Sequence, residues 1–190
     1  MSPESEAEKR QRFEAEALPH MNALYYTALR MTQNPSDAED LVQETYLKAH
    51  RFWDRYQPGT NCKAWLYKIL TNTRINQYVK LSKQPTRVNF EDIEPLLRTK
   101  EEPAIKTETA GDLSVFEDLL DDEVKKALEA VPEDFRVVLI LSVIEGFPYK
   151  GIAEILEIPI GTVMSRLFRG RKLLQASLRD FARRRGLVKD

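Results

Sequence analysis

The chain has 190 residues and a formal net charge of −1, with 42% hydrophobic and 31% charged residues. This composition permits compact cores and excludes general disorder, while the length allows one or two small domains. A single cysteine, Cys62, excludes an internal disulfide framework and a zinc site made of cysteines alone. The acidic N-terminus lacks an apolar signal core, and no apolar run approaches membrane-spanning length. We therefore expect a cytoplasmic protein without membrane insertion.

The N-terminal part of the chain predicts a polar leader followed by a helix. Residues 1–12 are polar and are expected to form a disordered leader. From Phe13 to Thr32, apolar residues recur at helical spacing, with a kink or break expected at Pro19 and His20. No ligand pattern surrounds His20, so it is expected at the surface or half-buried.

The next helix has a clear start. Asn34 can cap it, and Pro35 suits the first helical position, where no backbone donor is needed. A core stripe at helical spacing comprises Ala38, Leu41, Val42, Thr45, Ala49 and Phe52. A second stripe comprises Asp37, Asp40, Glu44, Leu47, Lys48 and Arg51. Spacing alone favours a solvated face for this second stripe, whereas Leu47 among the charges indicates a docking face.

After a polar loop at Gln57–Lys63, residues 63–80 predict a helix with nucleic-acid chemistry. Cations, amides and aromatics on one helix can hold phosphates, read base edges and stack unpaired bases. These side chains are Tyr67, Lys68, Asn72, Arg74, Asn76 and Tyr78. Between residues 46 and 83 there are eight lysines and arginines, and Asp54 is the one anion. Trp65 could act as a melting wedge, but its flanking pattern favours a packed core position.

An acidic linker is predicted over residues 82–114. Helical periodicity disappears there, and prolines interrupt the sequence. Residues 82–123 hold five lysines and arginines but twelve aspartates and glutamates. This composition predicts an extended, mobile tether.

A second helical domain is predicted from 115 to 182, followed by a basic tail over 183–190. Pro132 opens one of its helices, and Gly146 ends it. Pro148 suits the start of the next helix, which leads through a short turn at Glu157–Ile160 to a helix capped by Thr162 and ending near Lys172.

This order of elements is typical of a helix-turn-helix, and an ordinary helical hairpin is the alternative. The second helix presents Met164, Ser165, Arg166, Phe168, Arg169 and Arg171. Arginines in this position can fork onto guanine edges or hold phosphates, so DNA binding is favoured.

Both domains resemble one family. DAEDLVQETYLKAHRFWDRYQPGTNCKAWLYKILTNTRINQYVK resembles domain 2 of extracytoplasmic-function (ECF, group IV) sigma factors of bacterial RNA polymerase, and IPIGTVMSRLFRGRKLL resembles the −35-reading helix of their domain 4. The resemblance implies an all-α fold with domain 2 over residues 13–81, the linker, and domain 4 over 115–182. The stretch GTNCKAWLYKILTNT is especially similar to the oxidative-stress (SigR-like) sub-group.

The resemblance also implies three contact surfaces. Core RNA polymerase would be bound by Asp37, Asp40, Leu41, Gln43, Glu44, Leu47, Lys48 and Arg51. The −10 promoter element would be melted and read by Tyr56, Asn61, Cys62, Lys63, Tyr67, Lys68, Asn72, Arg74 and Asn76. The −35 element would be read by Lys150, Thr162, Met164, Ser165, Arg166, Phe168, Arg169 and Arg171. Within the −10 set, a flipped base would enter a pocket formed by the loop at 61–63 and the neighbouring helix.

Two functions follow from these patterns. The favoured one is an alternative sigma factor that binds core RNA polymerase and promoter DNA; the other is a helix-turn-helix regulator that acts without polymerase docking. The sequence contains no Ser/His/Asp set, metal-ligand cluster or phosphate-cradling glycine loop, so neither an enzyme, a metal nor a cofactor is expected. The family implies an anti-sigma factor, which in the oxidative-stress sub-group binds zinc and senses redox state through thiols. Cys62 has no resolving cysteine and is expected to be a bystander.

Overall fold

In the computed structural model, residues 5–81 and 122–184 are described, and all of their regular structure is helical, as predicted. The linker prediction, the start of domain 4 at Val115 and most of the basic tail lie outside these residues. The first region contains α1 (Glu6–Ala17), a 3₁₀ turn (Leu18–His20), α2 (Met21–Thr32), α3 (Pro35–Arg51), a 3₁₀ turn (Trp53–Arg55) and α4 (Cys62–Leu81). The second contains α5 (Asp122–Glu129), α6 (Glu133–Leu139), a π-helical segment (Ile140–Ile144), α7 (Tyr149–Leu156) and α8 (Ile160–Arg184).

The core of the first region lies between α2, α3 and α4, which contact one another along their apolar faces. Leu24 of α2, Leu41 of α3 and Leu66 of α4 are fully buried there. The predicted start of α3 is confirmed, because the backbone N–H of Asp37 donates to Oδ1 of Asn34 at 3.1 Å and Pro35 is the first helical residue. The predicted break at Pro19 is also present as the 3₁₀ turn between α1 and α2.

Helix α1 corrects the prediction of a disordered leader for residues 5–12, the part of that leader which the structure describes. Ser5 and Glu8 form a reciprocal capping box, in which the N–H of Ser5 donates to Oε2 of Glu8 at 2.8 Å and the N–H of Glu8 donates to Oγ of Ser5 at 3.3 Å. Lys9 Nζ lies 2.6 Å from Oδ1 of Asp54, and Phe13 is buried. The helix therefore begins at Glu6 because its end is capped and its inner face is anchored.

The second region is built around the close crossing of α6 and α8. A Cβ added to Gly170 would lie 3.0 Å from Cδ1 of Leu139 and 3.3 Å from Cβ of Phe135, so the absence of a side chain at this position allows the close approach of the two helices. Pro132 caps α6, and Gly146 adopts φ +69° after the π-helical segment, both where the sequence predicted helix boundaries. Among the helices of the described residues, none combines the length and apolarity needed to cross a membrane.

The helix-turn-helix is formed by α7 and α8, with Glu157 in the left-handed conformation at φ 54° at the end of α7. Helix α8 begins at Ile160 rather than at the predicted cap Thr162, because the carbonyl of Pro159 accepts from the N–H of Thr162 at 2.9 Å. It also continues past Lys172, where the prediction ended it, to Arg184. Neither glycine nor proline occurs between residues 173 and 184, so nothing in the local sequence ends the helix earlier.

Candidate functional site

The first candidate surface is the charged face of α3. Asp37, Asp40, Gln43 and Arg51 are exposed on it. Leu47 has 67% of its surface exposed, the largest fraction among the large hydrophobic residues that the structure describes. The predicted docking set therefore shares one surface, with one correction. Leu41 is fully buried on the core face of α3, where its side chain packs inside the helical bundle.

Part of this face is held in place by α4. Lys48 Nζ lies 2.7 Å from Oε1 of Glu44 and donates to Oγ1 of Thr73 at 3.1 Å. Nε2 of Gln77 donates to Oε2 of Glu44 at 2.7 Å. These contacts fix the orientation of the half-exposed Glu44 and Lys48 on the side of the charged face that lies next to α4.

The second candidate surface is the outer face of α4. Lys68, Asn72 and Asn76 follow one another at intervals of four residues and are half-exposed or exposed. Ile75 is exposed beside them. This row offers amides and a cation to a strand lying along the helix, which is the chemistry predicted for the −10 element.

Three residues of the predicted −10 set lie in the core and are corrected here. Tyr67 is fully buried, and its hydroxyl lies 3.2 Å from Oγ1 of Thr27. Tyr56 is buried with its ring stacked 4.6 Å from that of Trp53, and its hydroxyl donates to the carbonyl of Thr60 at 2.9 Å. Cys62 is buried at the start of α4. The physical reason is that these aromatic and thiol groups face the core, where they are removed from water.

The remaining members of the −10 set are divided between the end of the loop and the flank of α4. Asn61 is exposed, and its Oδ1 accepts from the N–H of Ala64 at 3.0 Å, which caps α4. Lys63 Nζ lies 5.7 Å from the centre of the Tyr67 ring, and Lys63 and Arg74 are both half-buried. Of the side chains predicted to line a pocket for a flipped base, Tyr56, Cys62 and Tyr67 are therefore buried.

An aromatic cluster beneath the loop was not singled out in the sequence. Trp53 is buried between Phe13, whose ring centre is 5.0 Å away, and Tyr56. Trp65 is half-buried and contacts both Trp53 at 5.7 Å and Tyr56 at 5.2 Å, so it packs as predicted but less deeply than Trp53. Trp53 was missed because it lies beyond the end of α3 among charged residues, where helical periodicity no longer applies.

Burial also changes two titrating groups in this region. Removal from water, together with the negative charge of Glu16, raises the pKa of Cys62 to about 11. Removal from water and the positive charge of Lys63 lower the pKa of His20. Both shifts favour the neutral form, which makes the cysteine a poor nucleophile and the histidine uncharged at neutral pH.

The third candidate surface is the outer face of α8. Met164, Ser165 and Phe168 are exposed on it, and Arg169 is half-exposed. Oγ of Ser165 donates to the carbonyl of Thr162 at 3.1 Å, within the first turn. Lys150 is exposed at the start of α7. These residues of the predicted −35 set are therefore accessible to solvent, Lys150 on α7 and the others on α8.

Two arginines of the −35 set flank this face and contact neighbouring helices. Arg166 lies 3.5 Å from Oδ2 of Asp134, and Arg171 donates to the hydroxyl of Tyr149 at 3.4 Å. Both are half-buried. Each guanidinium group therefore has a polar partner on a neighbouring helix.

Comparison with known proteins agrees with this arrangement. Residues 18–84 match the family described as Sigma-70 region 2, and residues 121–174 match the family described as Sigma-70, region 4. The ECF RNA polymerase sigma-E factor of Escherichia coli (strain K12) is 31% identical over 156 residues, which cover 78% of this chain and 77% of the relative. This chain belongs to the ECF family of RNA polymerase sigma factors.

Other members of the family show the same extent of similarity. The RNA polymerase sigma-H factor of Pseudomonas aeruginosa is 28% identical over 173 residues, covering 90% of this chain and 88% of the relative. The solved structure of the sigma factor RpoE from Bartonella quintana, in complex with the anti-sigma factor NepR, has a TM-score of 0.63 and 32% identity and covers 89% of this chain and 98% of that one.

Membership of the family establishes the function in outline. An ECF sigma factor directs RNA polymerase to promoters, and this chain carries both the region 2 and the region 4 matches. The region 2 match, which a plain helix-turn-helix regulator lacks, decides between the two functions left open by the sequence. Within the described residues, no group of three or more His, Cys, Asp or Glu side chains is placed to hold a metal ion.

Proposed function

We propose that this ECF sigma factor binds core RNA polymerase, the −10 element and the −35 element through three separate surfaces. The charged face of α3 docks on core RNA polymerase, the row of Lys68, Asn72 and Asn76 on α4 holds the unpaired −10 strand, and the outer face of α8 reads the −35 duplex. Leu47 carries the docking assignment, because 67% of its surface is exposed in the middle of the charged side chains that the family resemblance assigns to polymerase contact.

The docking assignment is tested by Leu47→Glu. We expect at least a tenfold loss of affinity for purified core RNA polymerase, measured by fluorescence anisotropy, with no change in melting temperature because the side chain packs against nothing in the core. Glu39→Lys is the matched control, since Glu39 is also exposed on α3 but lies outside the docking set. Equal binding by Leu47→Glu and the wild type would remove the docking role of this face.

Promoter opening in this proposal uses binding energy and no chemistry on this chain. The two DNA contacts are each weak, but the chain joins them and polymerase anchors them. Once one contact has formed, the other forms at a high effective concentration, which raises the overall affinity for the promoter. We therefore assign no catalytic residue, and we place the protein in the cytoplasm, where it meets bacterial core polymerase.

Regulation is proposed to involve an anti-sigma factor. The complex of the Bartonella relative with NepR supports a protein inhibitor for this chain as well. The similarity of residues 59–73 to the oxidative-stress sub-group supports a zinc-binding, thiol-based partner. Capture of the partner on the tagged sigma factor, followed by zinc analysis and treatment with diamide, tests this. A zinc-loaded partner released by diamide is expected; a zinc-free partner that stays bound contradicts the sub-group assignment.

A further inference from the structure

Exposed apolar side chains form a stripe on the outer face of α8. Ile160, Met164 and Phe168 have 49%, 54% and 39% of their surfaces exposed. They follow one another at four-residue intervals, so each lies about 6 Å further along the helix axis. Single exposed hydrophobic residues are ordinary, but a row of three on one helix face marks a surface that something covers.

The surface around this stripe is not apolar in general. Among the side chains described between residues 122 and 184, Val143 is the one other large hydrophobic residue that is exposed. Residues 160–179 also contain four arginines and a lysine but no aspartate or glutamate. Lys172 Nζ lies 5.9 Å from the centre of the Phe168 ring, so positive charge borders the stripe directly.

Charge and apolarity together indicate the occupant. A helix face with cations alone would suffice to bind phosphates, and a face with apolar residues alone would suit the binding of another protein. Asp134 of α6 pairs with Arg166, but α8 itself carries no anion over residues 160–179. An apolar stripe bordered by the cations of this helix fits the major groove, where thymine presents the one apolar group on a base edge, its C5-methyl.

We infer that Met164 contacts a thymine C5-methyl in the −35 element and selects an A·T pair at that position. The inference rests on the proposed function, in which the outer face of α8 reads the −35 duplex. Met164 is the most exposed member of the stripe, and its flexible, unbranched side chain can follow the surface of a methyl group. Arg166 and Arg171, at the two edges of the face, hold the backbone and fix the register.

Replacement of thymine by deoxyuridine tests the contact, because it removes only the methyl group. A promoter is first selected from a random pool by holoenzyme made from core polymerase and this sigma factor. Each −35 thymine is then replaced by deoxyuridine, and holoenzyme affinity is measured for the wild type, Met164→Gln and Met164→Leu. Glutamine keeps the length and helix propensity of methionine, and leucine keeps its apolarity.

For wild-type holoenzyme, replacement of one particular thymine by deoxyuridine is expected to lower the affinity for the promoter about fourfold. This loss corresponds to about 0.8 kcal/mol, the free energy of burying one methyl group. Met164→Leu is expected to retain most of this preference for thymine over deoxyuridine, and Met164→Gln is expected to lose it. Val143→Ala, a control at an exposed residue of the same region, is expected to leave the preference unchanged. A selected −35 element without thymine on either strand, or a deoxyuridine effect that persists in Met164→Gln, overturns the inference.

Two further outcomes distinguish a failure of this inference from a failure of the proposed function of α8. If scrambling the −35 element changes nothing, the role of α8 in the proposed function fails, and the inference fails with it. If the −35 element matters but Met164→Gln affects only the binding of an anti-sigma factor, the stripe is a protein-docking surface, and the inference alone is overturned.

Discussion

Cys62 shows how the surroundings of one residue decide its chemistry. The thiol is buried at the start of α4, and its pKa is raised to about 11. Since only the thiolate reacts, alkylation by iodoacetamide at pH 7.5 is expected to be about a hundredfold slower than for a free cysteine. The rate should rise through pH 9 and 10. Fast labelling at neutral pH would contradict the burial, and loss of the oxidant response in cells carrying Cys62→Ser would contradict the bystander role.

The same shift has a consequence for stability. The fold favours the neutral thiol, so this group stabilises the native state at pH values below its ordinary pKa. That contribution is lost as the pH rises through about 11. It is therefore fully present at neutral pH.

Tyr67 and Asn72 lie on opposite faces of α4, with Tyr67 buried in the core and Asn72 half-exposed. Tyr67→Phe removes a buried hydroxyl 3.2 Å from Thr27 and is expected to lower the free energy of unfolding by about 1 kcal/mol, with promoter opening retained. Asn72→Ala should leave stability unchanged and reduce opening at least tenfold. Urea denaturation and 2-aminopurine fluorescence at the −10 element measure the two effects. The reverse pattern would return Tyr67 to the DNA-binding set.

At the scale of the element, α1 extends the fold beyond the stretch that matches region 2. Phe13 is buried against Trp53, whereas Lys9 pairs with the mostly exposed Asp54. Phe13→Ala is therefore expected to lower the free energy of unfolding by about 3 kcal/mol, and Lys9→Ala by less than about 1 kcal/mol. Thermal and urea unfolding of both variants provide the measurement. Equal small effects would mean that α1 is not packed on the aromatic cluster.

The elements also show what local sequence can and cannot predict. The start of α3 at Asn34 and Pro35, the break at Pro19 and a helix end at Gly146 follow from backbone chemistry and were all predicted, whereas the π-helical turn before Gly146 was not. The start of α1 was missed because the capping box of Ser5 lies in a stretch that reads as merely polar. Helix α8 was predicted too short because neither glycine nor proline between residues 173 and 184 marks where it ends, and its end at Arg184 was therefore missed.

The candidate surfaces were predicted less well than the helices. Residue type and the family resemblance together assigned Tyr56, Cys62 and Tyr67 to DNA, and the structure buries all three. Tyrosine suits a core as well as a stacked base, and only the packing of α2 and α3 around α4 distinguishes the two. Leu47 and Met164 were placed correctly on surfaces because the charged residues around them fix which helix face meets water.

At the scale of the whole molecule, charge is unevenly divided along a chain of net charge −1. Residues 46–83 carry eight cations and one anion, whereas residues 82–123 carry twelve anions and five cations. Free protein is expected to bind promoter duplex weakly, with a Kd above about 1 μM at 150 mM salt, because each contact alone is weak. Fluorescence anisotropy with labelled duplex measures it. Nanomolar binding without polymerase would instead be the behaviour of a plain regulator.

The central claim is that this chain gives core RNA polymerase a promoter specificity through the exposed face of α3. Transcription in vitro with purified bacterial core polymerase, on a pool of promoter fragments, tests it most directly. The account predicts specific initiation with the wild type and with Glu39→Lys, and none with Leu47→Glu or with core polymerase alone. Specific initiation by Leu47→Glu at the wild-type level, or none by the wild type at any promoter in the pool, would contradict it.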